Sequence, residues 1–409
     1  MLRRTGLAAL GLVVLLVAAL LIVNLVRPLP DPTVEVGPRK ATVPVAVTLP
    51  WPAQGAAALG VMGEGVVAQT TVTAPMPTAS TAKMMTALVV LRKDPLAVGE
   101  TGPEIPITQA DVAAYEQDLA QDQSVVPVAA GEDLTELQAL QALLLPSANN
   151  VAAILASWAY GSLAGGVGAM NQEAATMGLS STHFVDASGF DPGTVSSPRD
   201  LVLLGEAVMS YPIVRQVVAE VQATIPVAGT IDNVNSLLGT DGIQGVKTGN
   251  TDQAGGCFVF AAEISTGAGA PSLLIGAVMG LPTLDGALQA ALPLIDAART
   301  ALRSVVLVRK GQVVARYRTA WGQVAGLASV RTVRLALWQG TVARFQLRAR
   351  PRGPLVARGA RVGDLDISAG GREVKVPLRA ASGLTGAPWQ WRLLRRPMVL
   401  PAQVPWPWR

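Results

Sequence analysis

Strand-forming sequence at both ends of a helix-forming stretch limits the fold of this chain more than any other feature. Near the front, "GAAALGVMGEGVVAQTT" holds two short apolar runs broken at Gly63-Glu64-Gly65, a hairpin signal. Strand character returns around residues 241–281 with "GIQGVKTGN", "GGCFVFAAEI", a turn at Thr266-Gly267 and "PSLLIGAVMG". Helical patterns lie between. One opens near Ser80; a second, "LQALQALLL", follows Asp133 and Glu136 at capping distance and is stopped by Pro146; a third is "NNVAAILASWAYG". A helical insert between sheet-forming ends implies an α+β domain around an antiparallel sheet.

Past Arg299 the pattern becomes one short strand after another, as in "SVVLVRKGQVVARYR" and "REVKVPLRA", punctuated by Gly and Pro as in a small all-β sandwich. Charge divides at the same place. Residues 1–299 hold 12 Lys and Arg against 25 Asp and Glu, whereas residues 300–409 hold 20 against 3. With 409 residues, half of them apolar, two domains are expected. A strongly basic module favours anionic surfaces such as lipid headgroups or acidic wall polymers, the alternative being a solvated basic face without a partner. One cysteine, Cys257, and one histidine, His183, exclude an internal disulfide framework and leave little material for a Cys/His zinc site.

Residues 6–26 form an apolar run whose one strongly polar member is Asn24, preceded by Arg3 and Arg4, and the length suffices to cross a bilayer as a helix. "NLVRPLPDP" follows instead of a small-x-small cleavage pattern, so the run reads as an uncleaved single-pass anchor with the remainder extracytoplasmic. The expected division is an anchor at 1–27, a Pro-rich linker at 28–48, a first folded domain at 49–298, a basic β-rich domain at 299–397 and a Pro/Trp tail at 398–409. The composition of "WQWRLLRRPMVLPAQVPWPWR" suits a membrane interface and packing on a domain surface equally.

"STAKMMTALVVL" sets Ser80 three residues before Lys83 on an apolar helix. Two readings are open: Ser80 caps the helix, or it is a nucleophile whose proton Lys83 accepts. The second needs a neutral lysine, which burial, the helix dipole and a second cation all favour. By residue frequency an S-x-x-K spacing arises by chance roughly a quarter of the time. Its company is more telling: Ser147 and Asn149 as S-x-N at a bend between helices, then Lys247-Thr248-Gly249 on a strand. All three in this order arise by chance on the order of a few times in a thousand.

The set is that of the penicillin-recognising serine acyl-transferases. The stretches "PTASTAKMMTA", "LLLPSANNVA", "SSTHFVDASGFDPGTVSSPRD" and "GIQGVKTGNTDQAGGCFVFAAE" closely resemble D-alanyl-D-alanine carboxypeptidases, the low-molecular-mass penicillin-binding proteins of serine peptidase family S11. The resemblance covers about residues 50–297 and continues more loosely into the basic domain. It implies a transpeptidase-type domain, an antiparallel sheet with helices on both faces, followed by the β sandwich. It also implies that Ser80 attacks the carbonyl of the penultimate D-alanine of a peptidoglycan stem peptide, that Lys83 is its base and that Ser147 relays a proton to the leaving amine. Asn149 would hold the substrate amide, Lys247 and Thr248 would bind its terminal carboxylate, Gly249 in the substrate site would let a ligand backbone approach closely, and the backbone N–H groups of Ser80 and Asn250 would form the oxyanion hole. β-Lactams would acylate the same serine, with no metal, cofactor or nucleic acid involved.

Departures from the family pattern occur at Val234 and Ala287, where relatives often carry cleft arginines, and at Asn250, where an aromatic residue or histidine is usual. A Ser-His-Asp hydrolase would have to use His183, in a segment that the resemblance makes structural. A class A β-lactamase would carry a glutamate four residues before an asparagine, and neither Glu173 nor Glu206 has one there. A catalytically weak wall-binding scaffold is the non-enzymatic alternative.

Overall fold

The computed structural model describes residues 2–72, 74–267, 269–351 and 353–395. It divides the chain into two compact units, one made of Pro44–Ser304 with Ala336–Gln339, the other of the chain through Val43, Val305–Leu335 and the chain from Gly340.

In the first unit the expected strand-forming ends meet. Five antiparallel strands run in the order Ile243–Thr251, Gly255–Ile264, Ser272–Leu281, Ala56–Val61, Gly65–Gln69, and the N-terminal hairpin joins through pairs such as Ala58↔Ala277. Alternation along the strands feeds two cores. Val259, Ala261 and Ile275 point into the layer of helices that includes Lys83–Lys93, Glu136–Leu144, Asn149–Tyr160 and Pro198–Val208. Phe258, Phe260 and Val278 meet the helix Leu284–Ala301 on the other face. Because both faces are covered, the central strands are apolar almost throughout, as the sequence showed. This is the α+β arrangement with helices on both faces that was expected.

The helix Lys83–Lys93 runs through the larger core, with every residue from Lys83 to Leu91 buried. A turn of 3-10 helix, Ala79–Ala82, precedes it, so Ser80 lies inside that turn and the capping reading of Ser80 fails; the preceding Thr78 makes no side-chain cap either. The cap expected from Asp133 and Glu136 is also displaced. Thr135 and Gln138 form it, the Gln138 N–H donating to Thr135 Oγ1 at 3.2 Å and the Thr135 N–H to Gln138 Oε1 at 3.0 Å. Asp133 instead pairs in the short strand Asp133–Thr135 against Glu104–Pro106, which holds it extended.

In the second unit a seven-stranded antiparallel sheet runs Thr33–Val36, Val313–Arg318, Val324–Ser329, Arg372–Ala380, Arg361–Ala369, Val342–Ala349, Lys40–Thr42. Tyr317, Leu327, Ile367, Val376 and Leu378 form its core. Residues 28–48 are therefore no simple linker: they supply both edge strands. Prolines marked the stretch as irregular, but edge strands tolerate proline and take their register from a partner, here Thr33↔Arg318 and Lys40↔Arg344. Three residues, Gly37 to Arg39, carry the chain from one edge to the other. At 3.3–3.6 Å per residue that places the edges within about 15 Å, so the sheet curls nearly closed.

The N-terminal helix Leu2–Val26 is long and apolar enough over Leu7–Val26 to cross a membrane. Its last turn is gripped by the segment after the short helix Trp389–Leu394. Asn24 Nδ2 donates to the Arg395 carbonyl at 2.9 Å, and Arg395 Nη2 donates to the carbonyls of Asn24 and Arg27, each at 2.6 Å, satisfying oxygens that the helix end leaves open. The tail expected at 398–409 lies outside the described residues.

Candidate active site

Lys83 is the first residue of its helix and is fully buried. Its Nζ lies 2.8 Å from Ser80 Oγ, 2.5 Å from Asn149 Oδ1 and 3.1 Å from the Ser188 carbonyl. The 3-10 turn brings the serine to the amine: it carries Ser80 to the mouth of the helix while keeping it half-buried. Burial first, and then the charge of Lys247, hold the Lys83 amine well below the usual lysine range, against the opposing pull of Asp186 and Asp118. The positive end of the helix acts in the same direction. An amine so depressed, in hydrogen-bond reach of a serine hydroxyl, is able to take that hydroxyl's proton.

Lys247 sits on the edge strand Ile243–Thr251, opposite Val259, and is 1 % exposed. Its amine donates to the Thr248 carbonyl at 3.0 Å, and burial pushes it down to about 7. Thr248 is buried beside it. Gly249 lets this strand meet the serine turn, since a Cβ there would stand 2.8 Å from the Ser80 nitrogen. The glycine thus admits the protein's own backbone, a closer constraint than the approach of a ligand. Asn250 follows, exposed, and pairs with Gly256.

Ser147 and Asn149 stand on the bend between Glu136–Leu144 and Asn149–Tyr160. Ser147 has φ 71° and Ala79, beside Ser80, φ 45°, both in a region that L-residues seldom occupy. The buried Ser147 hydroxyl has no hydrogen-bond partner among the described residues, leaving it available to a bound molecule. Asn149 Nδ2 donates to Gln123 Oε1 at 2.5 Å.

Two contributors were not singled out in the sequence. The Ser188 carbonyl reaches Lys83 from a loop organised by Asp186, whose carboxylate accepts from Ser188 Oγ, Thr194 Oγ1 and the N–H groups of Gly189, Phe190 and Asp191. An aspartate opening a Gly-containing turn, "DASGFD", is the available signal. Gly189, with φ 79°, abuts the serine turn so closely that a Cβ would fall 1.8 Å from the Ala79 carbonyl oxygen. Gln123 is the second, and nothing in its local sequence marks it. A cavity of about 220 Å³ beside the lysine is lined by Gln123, Asn149, Ser188, Asp118, Phe190 and Asp191, among others.

The two expected arginine positions separate. Val234 is exposed and donates its N–H to the Leu145 carbonyl, next to the Ser147 bend. Ala287 is fully buried in the core under Leu284–Ala301, so its side chain faces no cleft. His183 pairs through its backbone with Val195, as a structural segment would. Among the described residues no group of three or more His, Cys, Asp or Glu is placed to hold a metal ion.

Known proteins resemble this chain in sequence and in fold. A D-alanyl-D-alanine carboxypeptidase of Mycobacterium tuberculosis is 37% identical over 212 residues, covering 50% of this chain and 67% of the relative. One from a Streptomyces species is 34% identical over 202 residues, 45% of this chain and 67% of the relative. The crystal structure of the Streptomyces K15 DD-transpeptidase superposes with a TM-score of 0.55 at 27% identity, covering 61% of this chain and 98% of that one. Penicillin-binding protein 5 from Haemophilus influenzae shares the fold over 83% of this chain and all of its own, at a TM-score of 0.60 and 21% identity. The model of the D-alanyl-D-alanine carboxypeptidase family matches residues 53–283, more than half of the sequence and the whole stretch that carries the serine, both lysines and the asparagine, and to that family this chain belongs.

Proposed function

We propose that the protein removes the terminal D-alanine from peptidoglycan stem peptides through an acyl-enzyme on Ser80, and that penicillin acylates the same serine. The observation that carries this is the buried Lys83 amine 2.8 Å from Ser80 Oγ, flanked by two acceptors that occupy its other positions. In the first step Ser80 Oγ bonds to the carbonyl carbon of the penultimate D-alanine as its proton passes to Lys83 Nζ. The backbone N–H groups of Ser80 and Asn250 take the oxyanion. The C–N bond then breaks, with Ser147 passing a proton to the leaving amine, and D-alanine departs with its carboxylate, which Lys247 and Thr248 had bound. Water then attacks the ester, giving up a proton to the same base, and frees Ser80.

Support for substrate and inhibitor class comes from the family. The N-terminal helix supports attachment to the membrane, with the catalytic unit on the extracytoplasmic side, where the wall is. The basic β-rich unit is proposed to engage anionic wall polymers or lipid headgroups.

The test uses the full chain in detergent, incubated with a labelled penicillin and weighed intact beside Ser80→Ala. One stable adduct on the parent and none on the variant is expected, together with D-alanine release from a peptide ending in D-alanyl-D-alanine. An unlabelled parent would refute the acyl-enzyme; an adduct lost within seconds would make the protein a β-lactamase.

A further inference from the structure

We infer that Gln123 is a positioning residue for this reaction: it holds the Asn149 side-chain amide with its oxygen toward Lys83, and thereby keeps the lysine lone pair on Ser80. The inference rests on the reading of Lys83 as the base. A neutral amine has two N–H bonds and one lone pair. Three polar atoms surround Lys83 Nζ, and two of them, Asn149 Oδ1 at 2.5 Å and the Ser188 carbonyl at 3.1 Å, can only accept. They occupy both N–H bonds. The lone pair is left for the Ser80 hydroxyl at 2.8 Å, the direction in which the proton must move.

The arrangement depends on which end of the Asn149 amide faces the lysine. Reversed, the amide would offer its NH2 to Nζ, draw the lone pair away from Ser80 and turn a lysine N–H toward the serine oxygen. The far end of the amide decides, because Asn149 Nδ2 donates to Gln123 Oε1 at 2.5 Å, and reversal would set two oxygens against each other. Gln123 is itself fixed. Its Nε2 donates to Gln121 Oε1 at 3.1 Å and its backbone N–H to the Asp118 carbonyl at 3.1 Å.

The chain around Gln123 is laid along the start of the helix Asn149–Tyr160. The Asn149 N–H donates to the Ser124 carbonyl at 2.7 Å, while Asn150 donates to the Val126 carbonyl at 2.9 Å and accepts from the Val126 N–H at 3.1 Å. These bonds keep the segment docked whatever side chain stands at 123. Gln123 therefore has a separable role, one that a substitution removes without unseating the loop.

The experiment measures the second-order rate of acylation by labelled penicillin against pH, on the full chain in detergent, for the parent, Gln123→Ala, Gln123→Glu, Asn149→Ala and the Gln123→Ala/Asn149→Ala pair. Gln123→Ala should slow acylation about tenfold, the equivalent of one hydrogen bond, with its melting temperature close to the parent's. Gln123→Glu, which keeps an acceptor, should recover the rate at alkaline pH while its rise with pH moves upward, since a carboxylate there favours the charged lysine. In the Asn149→Ala background Gln123→Ala should have no further effect. Parent-like acylation by Gln123→Ala, or a loss that adds in full to that of Asn149→Ala, overturns the inference. A parent that takes no label removes the base and this inference together.

Discussion

Two lysine amines are buried in one site, and they are suited to opposite states of protonation. Burial and the charge of Lys247 hold Lys83 well below the usual lysine range, as the proposed base requires, while Lys247, pushed down to about 7, has to be charged for the carboxylate binding proposed for it. The free enzyme should therefore lose kcat/KM for a peptide ending in a carboxylate as pH rises through about 7, and Lys247→Arg, which keeps its charge, should flatten that alkaline limb. A limb unmoved by Lys247→Arg would show that another group causes it. The same depression has a thermodynamic side. Between about 7 and the unfolded lysine value near 10.4 the unfolded chain binds the extra proton, so this residue makes stability rise with pH across that window. At this scale the spacing of Ser80, Lys83, Ser147, Asn149 and Lys247 was legible because the motifs are local. Gln123 was not, since its meaning lies in a hydrogen bond to Asn149, and of the Asp186 loop only the turn was marked, not its contact with Lys83.

Among the elements, what could be read in advance depended on whether a segment's own pattern specifies it. The central strands and the buried helix carry that pattern on every turn or pleat. The 3-10 turn at Ala79–Ala82 does not: it is fixed by Gly189 and Gly249, which press on it from a loop and a strand. The strands Thr33–Val36 and Lys40–Thr42 likewise exist through their partners. They also position charge, because the turn between them and the start of the second strand carry Arg39 and Lys40. A groove of about 940 Å³ there is lined by those two with Arg344, Arg348 and Lys375, against Asp366, which pairs with Arg348, and Glu373. An excess of basic side chains makes the groove the place to test the proposed binding of an acidic wall polymer. Binding of such a polymer by the full chain in neutral nanodiscs should weaken steeply with salt, and Arg344→Gln with Lys375→Gln should lower both affinity and salt dependence. Binding indifferent to salt would contradict an electrostatic origin.

On the scale of the whole molecule, the boundary drawn at residue 298 from the change in composition is crossed by packing. Leu302, Ala336 and Trp338 lie in the core beneath the helix Leu284–Ala301, and Gln339 donates its N–H to the Ala301 carbonyl. Trp338→Ala should accordingly destabilise the catalytic unit by about 3–5 kcal/mol, read from denaturant unfolding followed by loss of penicillin labelling. Unchanged loss of labelling would show that this unit ends before the tryptophan. The order of events in folding follows from the two edge strands. Thr33–Val36 and Lys40–Thr42 precede their partners, Arg318 and Arg344 among them, by about three hundred residues, with nearly all of the carboxypeptidase unit in between. The five-stranded sheet, by contrast, pairs strands that all lie within residues 56–281, so it can close before either edge strand of the second sheet has a partner to find.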